Sequence, residues 1–446
     1  MGRYSCGVET VLLFVLGVVI FVIGLGVSIA LHELGHLSTA KLFGVKVTQY
    51  MVGFGKTLFS FRRGETEYGV KALPLGGYIA MIGMFPPKKG ERVHESSTGF
   101  YQQMVQEART ASAETVDDGD EHRAFYRLNP LKRIIVMFAG PFMNLVIAFV
   151  LYLIIVCGIG LAVPANVVGS VAACLPASAT QTTCAADAAA SPAKAGGLKP
   201  GDTILSVDGV STPTWGKAAT IFESSPGTPL SVVVDRDGST RTLTVTPRAT
   251  KRYVTDGDGN VVKKDGVKQT ETVGMIGIGQ GTKIEAQPLT VALPVFGEGI
   301  AQTAGVIVNL PERMVGVWNA AFGSGERSAN SPVGIIGVGR ATGEIVSDNQ
   351  YPVVARVQFV LNILASLNIA LFVFNMIPLL PLDGGHIIGA IWEAIKRGWA
   401  KVFRRKEPHP VDMARLMPVT YVVVIVLGAM SLLLAYADIV KPISFG

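Results

Sequence analysis

Four stretches of this 446-residue chain contain no Lys, Arg, Asp or Glu: Val11–Leu31, Ile134–Val163, Val357–Leu382 and Leu416–Ala437. Each is at least 21 residues long, enough, at about 1.5 Å per residue, to cross a hydrocarbon core of about 30 Å as a helix. Inside lipid every backbone N–H and C=O must be satisfied internally, which restricts such stretches to helices. The fold class expected is therefore a polytopic α-helical membrane protein with four transmembrane helices. Composition agrees: only 16% of residues are charged and mean hydropathy is +0.43, against about 25% charged residues in soluble domains. A cytosolic enzyme is excluded. The first stretch exceeds the 7–15 residues of a signal-peptide core and no small-residue cleavage site follows it, so it reads as a retained anchor.

The net charge is +6, and its placement sets orientation. Lys41, Lys46, Arg123, Arg127, Lys132, Arg133 and seven basic residues between Lys396 and Arg415 flank one side of the spans. Only Arg3, Arg340, Arg356 and Lys441 flank the other. Positive charge stays on the cytoplasmic side, so 32–133 and 383–416 face the cytoplasm. Both termini and 164–355 lie outside. A membrane surface accounts for this charge, and no nucleic-acid partner is expected.

The chain divides accordingly. Residues 1–46 form the first span, and 47–84 a membrane-associated β-hairpin, because Val47–Met81 alternates apolar and polar residues about Arg63-Gly64. Residues 85–130, with the low-complexity run around Asp117, read as a flexible cytoplasmic insert. The second span is 131–163, and 164–285 is a β-rich outer domain with several Asp-Gly turns. Residues 286–354 read as an amphipathic surface segment, 355–383 as the third span, 384–415 as a cytoplasmic loop and 416–446 as the fourth span and tail. Cys174 and Cys184 lie close enough for a disulfide in an outer segment; the sequence leaves the bridge open.

The first span runs into His32-Glu33-Leu34-Gly35-His36. Positions i and i+4 share a helix face, so the two imidazoles can hold one ion, with Glu33 beside them to take a proton from water. The bland alternative, a pair of polar anchors at a helix end, fits poorly, because ionisable groups at membrane depth are costly and mark function. A zinc ion needs a third protein ligand. Among the remaining histidines, His94, His122 and His409 lie in polar loops, and His386 follows Asp383 by one turn. Asp383 is the first charge after the third span and is expected at the same membrane edge as His32. Pro378 and Pro381 break the helix just before it. Its alternative is a helix cap. Asn368 and Asn375 lie two turns apart on one face of the third span, as substrate-binding residues or as interhelical hydrogen bonds; the proline-broken segment beside Asn375 favours the first role there.

Taken together, His32-Glu33-x-x-His36, Ala139-Gly140-Pro141-x-x-Asn144 and the run from Asn375 through Pro378 to Leu382-Asp383-Gly384 resemble the site-2 protease family of intramembrane zinc metalloproteases. Gly53-Phe54-Gly55 with Pro74-Leu75-Gly76-Gly77-Tyr78, and Ser331-Pro332-Val333-Gly334, add to the likeness. Leu380 stands where the family places its second proline, but the Asn375-to-Asp383 spacing is unchanged. The run Ala195–Gly209 resembles a bacterial PDZ domain, present once, with an insertion at Cys174–Pro192 before it. The resemblance implies a Zn²⁺ cofactor held by His32, His36 and Asp383, Glu33 as base, and regulated intramembrane proteolysis. Implied partners are transmembrane substrates such as anti-sigma factors, remnant signal peptides and the lipid bilayer. Two other readings remain: an anchored zincin with a different carboxylate ligand, and a PDZ-bearing scaffold with a vestigial site. The intact Glu33 argues against the scaffold.

Overall fold

The computed structural model describes residues 2–86, 100–175, 188–254, 263–264, 267–323, 327–328, 331–406 and 408–443. They form two compact units, Met1–Gly158 with Pro288–Gly446, and Ile159–Gln287.

The larger unit begins with helix α1 (Gly2–Leu42). The hairpin that follows pairs β1 (Val47–Arg63) with β2 (Thr66–Met81), from Val47 opposite Met81 to Arg63 opposite Thr66, with repeated register shifts between. Its base is tied to α1: the Tyr50 hydroxyl donates to the Ala30 carbonyl at 2.7 Å. Burial pushes this phenol up to about 12, so it stays protonated and keeps donating. Towards the turn, Phe54, Leu58, Phe59 and Phe61 are exposed.

The segment expected as a flexible insert is ordered from Phe100 onward; 87–99 lie outside the described residues. Helix α2 (Phe100–Glu114) buries Val105, and its Ser112 hydroxyl bonds the Phe85 backbone at 2.9 and 3.2 Å. Arg109 pairs with Asp412, while Lys46 meets Asp117 and Asp120, each at 2.7 Å. Polar composition conceals this helix because its partners sit up to some 300 residues away. Helix α3 (Pro130–Leu153), capped by Asn129, continues as a π-helical turn over Ile154–Ile159.

The inserted unit contains β3 (Leu161–Val171), the one-turn helix α4 (Pro192–Ala195), β4 (Thr203–Val207), β5 (Val210–Ser211), α5 (Trp215–Ser224), β6 (Leu230–Arg236) and β7 (Ser239–Val245). β8 (Arg248–Tyr253), β9 (Lys263–Lys264), β10 (Val267–Lys268), β11 (Thr270–Met275) and β12 (Ile278–Glu285) complete it. The main sheet runs β12-β3-β4-β6-β7 with β5 beside β4, all antiparallel. Ile204, Val207, Val232, Val234, Ala218 and Phe222 pack into one core. Cys174 is disulfide-bonded; Cys184 lies outside the described residues.

The larger unit resumes with α6 (Leu289–Val308), α7 (Leu310–Phe322), α8 (Ile335–Ser347), α9 (Val353–Asn375), α10 (Asp383–Val402) and α11 (Met417–Val440). Five helices among the described residues are long and apolar enough to cross a membrane: Val8–Leu42, Pro130–Ile159, Leu289–Val308, Val353–Asn375 and Met413–Val440. Four of them cover the charge-free stretches; the remaining one, α6, lies in the segment read as an amphipathic surface helix and is a candidate by length and composition alone. Glu298 interrupts its apolar run, so a search for charge-free stretches passes over it. α6 packs against α3, with Phe296 ring centroids 5.2 Å from Phe149 and 5.6 Å from Tyr152.

Candidate metal centre

Helix α1 carries His32 and His36 one turn apart, and both rings turn towards α3. The His36 Nδ1 lies 2.7 Å from the Val136 carbonyl and the His32 Nδ1 lies 2.7 Å from Asn144 Oδ1. A carbonyl and an amide oxygen can only accept, so both Nδ1 atoms carry the proton. In the neutral form that binds a metal, each ring then presents Nε2 as a bare lone pair. The two Nε2 atoms are 3.2 Å apart, and each is 3.4 Å from Asp383 Oδ2. That oxygen is buried and has no hydrogen-bond partner. Asp383 opens α10 straight after the Met376–Leu382 turn, which contains the cis Leu380–Pro381 bond.

Three converging acceptors repel one another unless a cation sits among them. Their spacing fits zinc: ligands about 2.0–2.1 Å from a tetrahedral ion lie about 3.3 Å from each other. Two imidazoles and one carboxylate also match the donor set of a catalytic zinc, which keeps a fourth position open. Among the described residues, His32, His36 and Asp383 are the one group with this convergence of potential ligand atoms.

Two glycines make the arrangement possible by close approach. A Cβ on Gly140 would stand 2.2 Å from His36 Nε2, so α3 presents bare backbone to that ring. A Cβ on Gly77 of β2 would stand 2.8 Å from Glu33 Cγ. Glu33 is 8% exposed and, with His32, His36, Asp383, Asn375 and His386, lines a cavity of about 280 Å³. Burial pushes His386 down to about 4, leaving its imidazole uncharged at neutral pH.

The two asparagines part company. Asn375 faces the cavity, its amide donating to the Leu371 carbonyl at 2.9 Å. Asn368 is fully buried: its Oδ1 accepts from Asn144 at 3.1 Å and its Nδ2 donates to Ser28 at 2.9 Å and Leu364 at 2.8 Å. It thus belongs to a chain from Ser28 through Asn144 to His32 that joins α1, α3 and α9. Sequence reasoning had no role for Asn144 as a histidine partner, nor for the Val136 carbonyl. An amide four residues after a glycine inside an apolar span was the available signal for Asn144; for a backbone carbonyl there is none.

Comparison with known proteins agrees with this chemistry. The profile of Peptidase family M50 matches residues 20–417. The zinc metalloprotease Rip1 of Mycobacterium tuberculosis is 34% identical over 97% of this chain and 99% of its own length. Rip1 of Mycolicibacterium smegmatis is 32% identical, again over 97% and 99%. The zinc metalloprotease RasP of Geobacillus kaustophilus is 26% identical over 91% of this chain and 96% of its own. A buried carboxylate oxygen left bare between two oriented imidazoles, in a chain matched almost end to end by zinc metalloproteases, places this multi-pass membrane protein in Peptidase family M50, the site-2 protease family, as a zinc metalloprotease.

Proposed function

We propose that the chain cleaves peptide bonds within the transmembrane segments of single-pass substrates, in regulated intramembrane proteolysis, with anti-sigma-factor-like proteins and remnant signal peptides as the substrate classes. The observation that carries this reading is the convergence of His32, His36 and Asp383 beside Glu33 in a cavity walled by membrane-type helices. His32, His36 and Asp383 hold the zinc ion. Zinc, when bound, lowers the pKa of water towards about 7 and polarises a carbonyl. Glu33 takes the proton from the attacking water and passes it to the leaving amine nitrogen. Val136 and Asn144 keep both imidazoles in the ligating tautomer. Asn375 holds the substrate backbone at the cavity wall, while Asn368 acts behind Asn144.

A substrate helix has its carbonyls engaged and must unwind before it is cut. The hairpin offers strand edges for capturing the unwound chain by β-addition. The Ile159–Gln287 unit acts as an outer PDZ-like domain that filters substrates by ectodomain size or docks their C-termini. In this reading both termini and that unit lie outside and the zinc lies near the cytoplasmic side. The test is Glu33→Gln, with zinc content and cleavage of a co-expressed transmembrane reporter measured together. Zinc should stay near one per chain while cleavage falls about 10²–10⁴-fold; undiminished cleavage would sink the mechanism.

A further inference from the structure

Helix α10, which begins at Asp383, carries a surface that no described residue covers. Ile388, Ile391, Trp392, Ile395, Trp399 and Val402 recur every three or four residues and all are exposed, Trp399 at 61% and Val402 at 76%. At this spacing they form one stripe along about a third of the helix circumference. The opposite face is buried through Gly389, Ala390, Glu393 and Ala400. That face is also locked: Glu393 is fully buried, lies 2.5 Å from Arg133 of α3 and 2.9 Å from Arg397, and accepts the Val411 N–H at 2.9 Å. The helix cannot roll to hide its stripe without stranding a buried carboxylate.

Charge identifies what the stripe meets. From Lys396 to Lys406 the sequence holds six basic residues and no acidic one. Arg397 is engaged by Glu393, but Lys396, Lys401, Arg404, Arg405 and Lys406 are exposed. Lys396 Nζ stands 5.5 Å over the Trp392 ring, and the Trp399 and Phe403 rings are 4.5 Å apart. Exposed tryptophans interleaved with cations suit the boundary between acyl chains and headgroups. The aliphatic stems of Lys and Arg lie along the apolar face while their charged ends reach outward. A second copy seated on the stripe would bring the same row of cations against itself.

We propose that the second half of α10 and the Phe403–Lys406 turn form a binding surface for anionic lipid headgroups, with Trp392 and Trp399 seated at the acyl boundary. The reading needs only that the chain is a membrane protein, and so stands apart from the catalytic assignment. The test uses the full chain carrying Trp215→Phe and Trp318→Phe, so that Trp392 and Trp399 alone report. It is placed in nanodiscs of phosphatidylcholine, with or without a third phosphatidylglycerol, containing lipids brominated near or far from the headgroup. Shallow bromines should quench the fluorescence more than deep ones. The ratio of phosphatidylglycerol to phosphatidylcholine around the protein should exceed the bulk ratio by at least tenfold, since each basic residue near an anionic surface is worth about fivefold. Changing Lys396, Lys401, Arg404, Arg405 and Lys406 to Gln should abolish that enrichment while zinc content holds. No quenching at either depth overturns the proposal, whether water or a second copy then covers the stripe. Shallow quenching with equal enrichment in wild type and the charge-neutral variant also overturns it, since that is hydrocarbon contact without headgroup recognition.

Discussion

Among the described residues, Asp202 and Asp438 are buried and treated alike, while Asp383, its side chain 17% exposed, is treated quite differently. Asp202, in the Ile159–Gln287 unit, receives Arg236 through two nitrogens at 2.6 and 2.8 Å and the Lys199 N–H at 2.8 Å. Asp438, on α11 of the larger unit, receives Arg327 and the Gly337 N–H, both at 2.8 Å. Each carboxylate is neutralised by a cation and by backbone, which is how folded chains accommodate buried charge. Asp383 keeps one buried oxygen without a donor and turns it to two bare imidazole nitrogens. Membrane burial is not the cause, because Asp438 sits in a membrane-type helix and is satisfied. A structural acid carries its counter-charge within the chain; an acid that serves an ion must leave it out.

The largest expected consequence of breaking this contrast is at Asp383. Asp383→Ala should lose most of the zinc from a chain that otherwise carries about one ion, as read by elemental analysis of detergent-purified protein, and cleavage should be lost with it. The metal-free variant should unfold no more easily than metal-free wild type, since the buried Oδ2 of Asp383 has no protein donor to lose. Retained zinc would move the third ligand elsewhere.

Next in size is Asn144→Ala, which removes the acceptor that fixes the His32 tautomer. Loss of such a supporting partner typically costs about 10–100-fold in metal affinity. Zinc competition against a chromophoric chelator should show that range, with α-helical content unchanged. An affinity equal to wild type would mean that Asn144 does not orient the ring.

The smallest effect belongs to Asp202, which should matter to folding and not to metal. Burial raises its pKa, but the Arg236 guanidinium and the Lys199 N–H more than offset this and hold it below the usual carboxylate range. A depressed carboxylate stabilises the fold above its unfolded pKa, about 3.9, and that contribution is lost as pH falls through the folded value. Hydrogen-exchange protection of β4 and β6 in the full chain should therefore hold between about pH 7 and 5 and weaken below about 4. Asp202→Asn should weaken it at neutral pH too, while zinc content stays at the wild-type level.

Local patterns were legible in the sequence. The charge-free runs, the His32–His36 spacing and the alternation in 47–81 each express a helical or strand period, and each requires only neighbours in the chain. Choosing Asp383 required one further step, from topology to a shared membrane edge. Long-range features left no such trace. Asn144 and Asn368 lie 224 residues apart, and which of the two asparagines on α9 faces the cavity depends on how that helix is rotated against α1 and α3. Helix α6 read as part of an amphipathic surface segment because one glutamate breaks its apolar run, and α2 was passed over because its polar residues find partners far along the chain.

By itself, the sequence determined that the chain enters a membrane and that His32, Glu33 and His36 share one helix end, since hydropathy and helical periodicity are local properties. Tertiary structure alone decided which ring nitrogens are bare, that Asp383 meets them 3.4 Å away, and that Gly140 and Gly77 leave room for His36 and Glu33. These depend on the packing of α1, α3, α10 and β2, where separations of a few tenths of an ångström set whether three lone pairs converge on an ion or merely lie near one another.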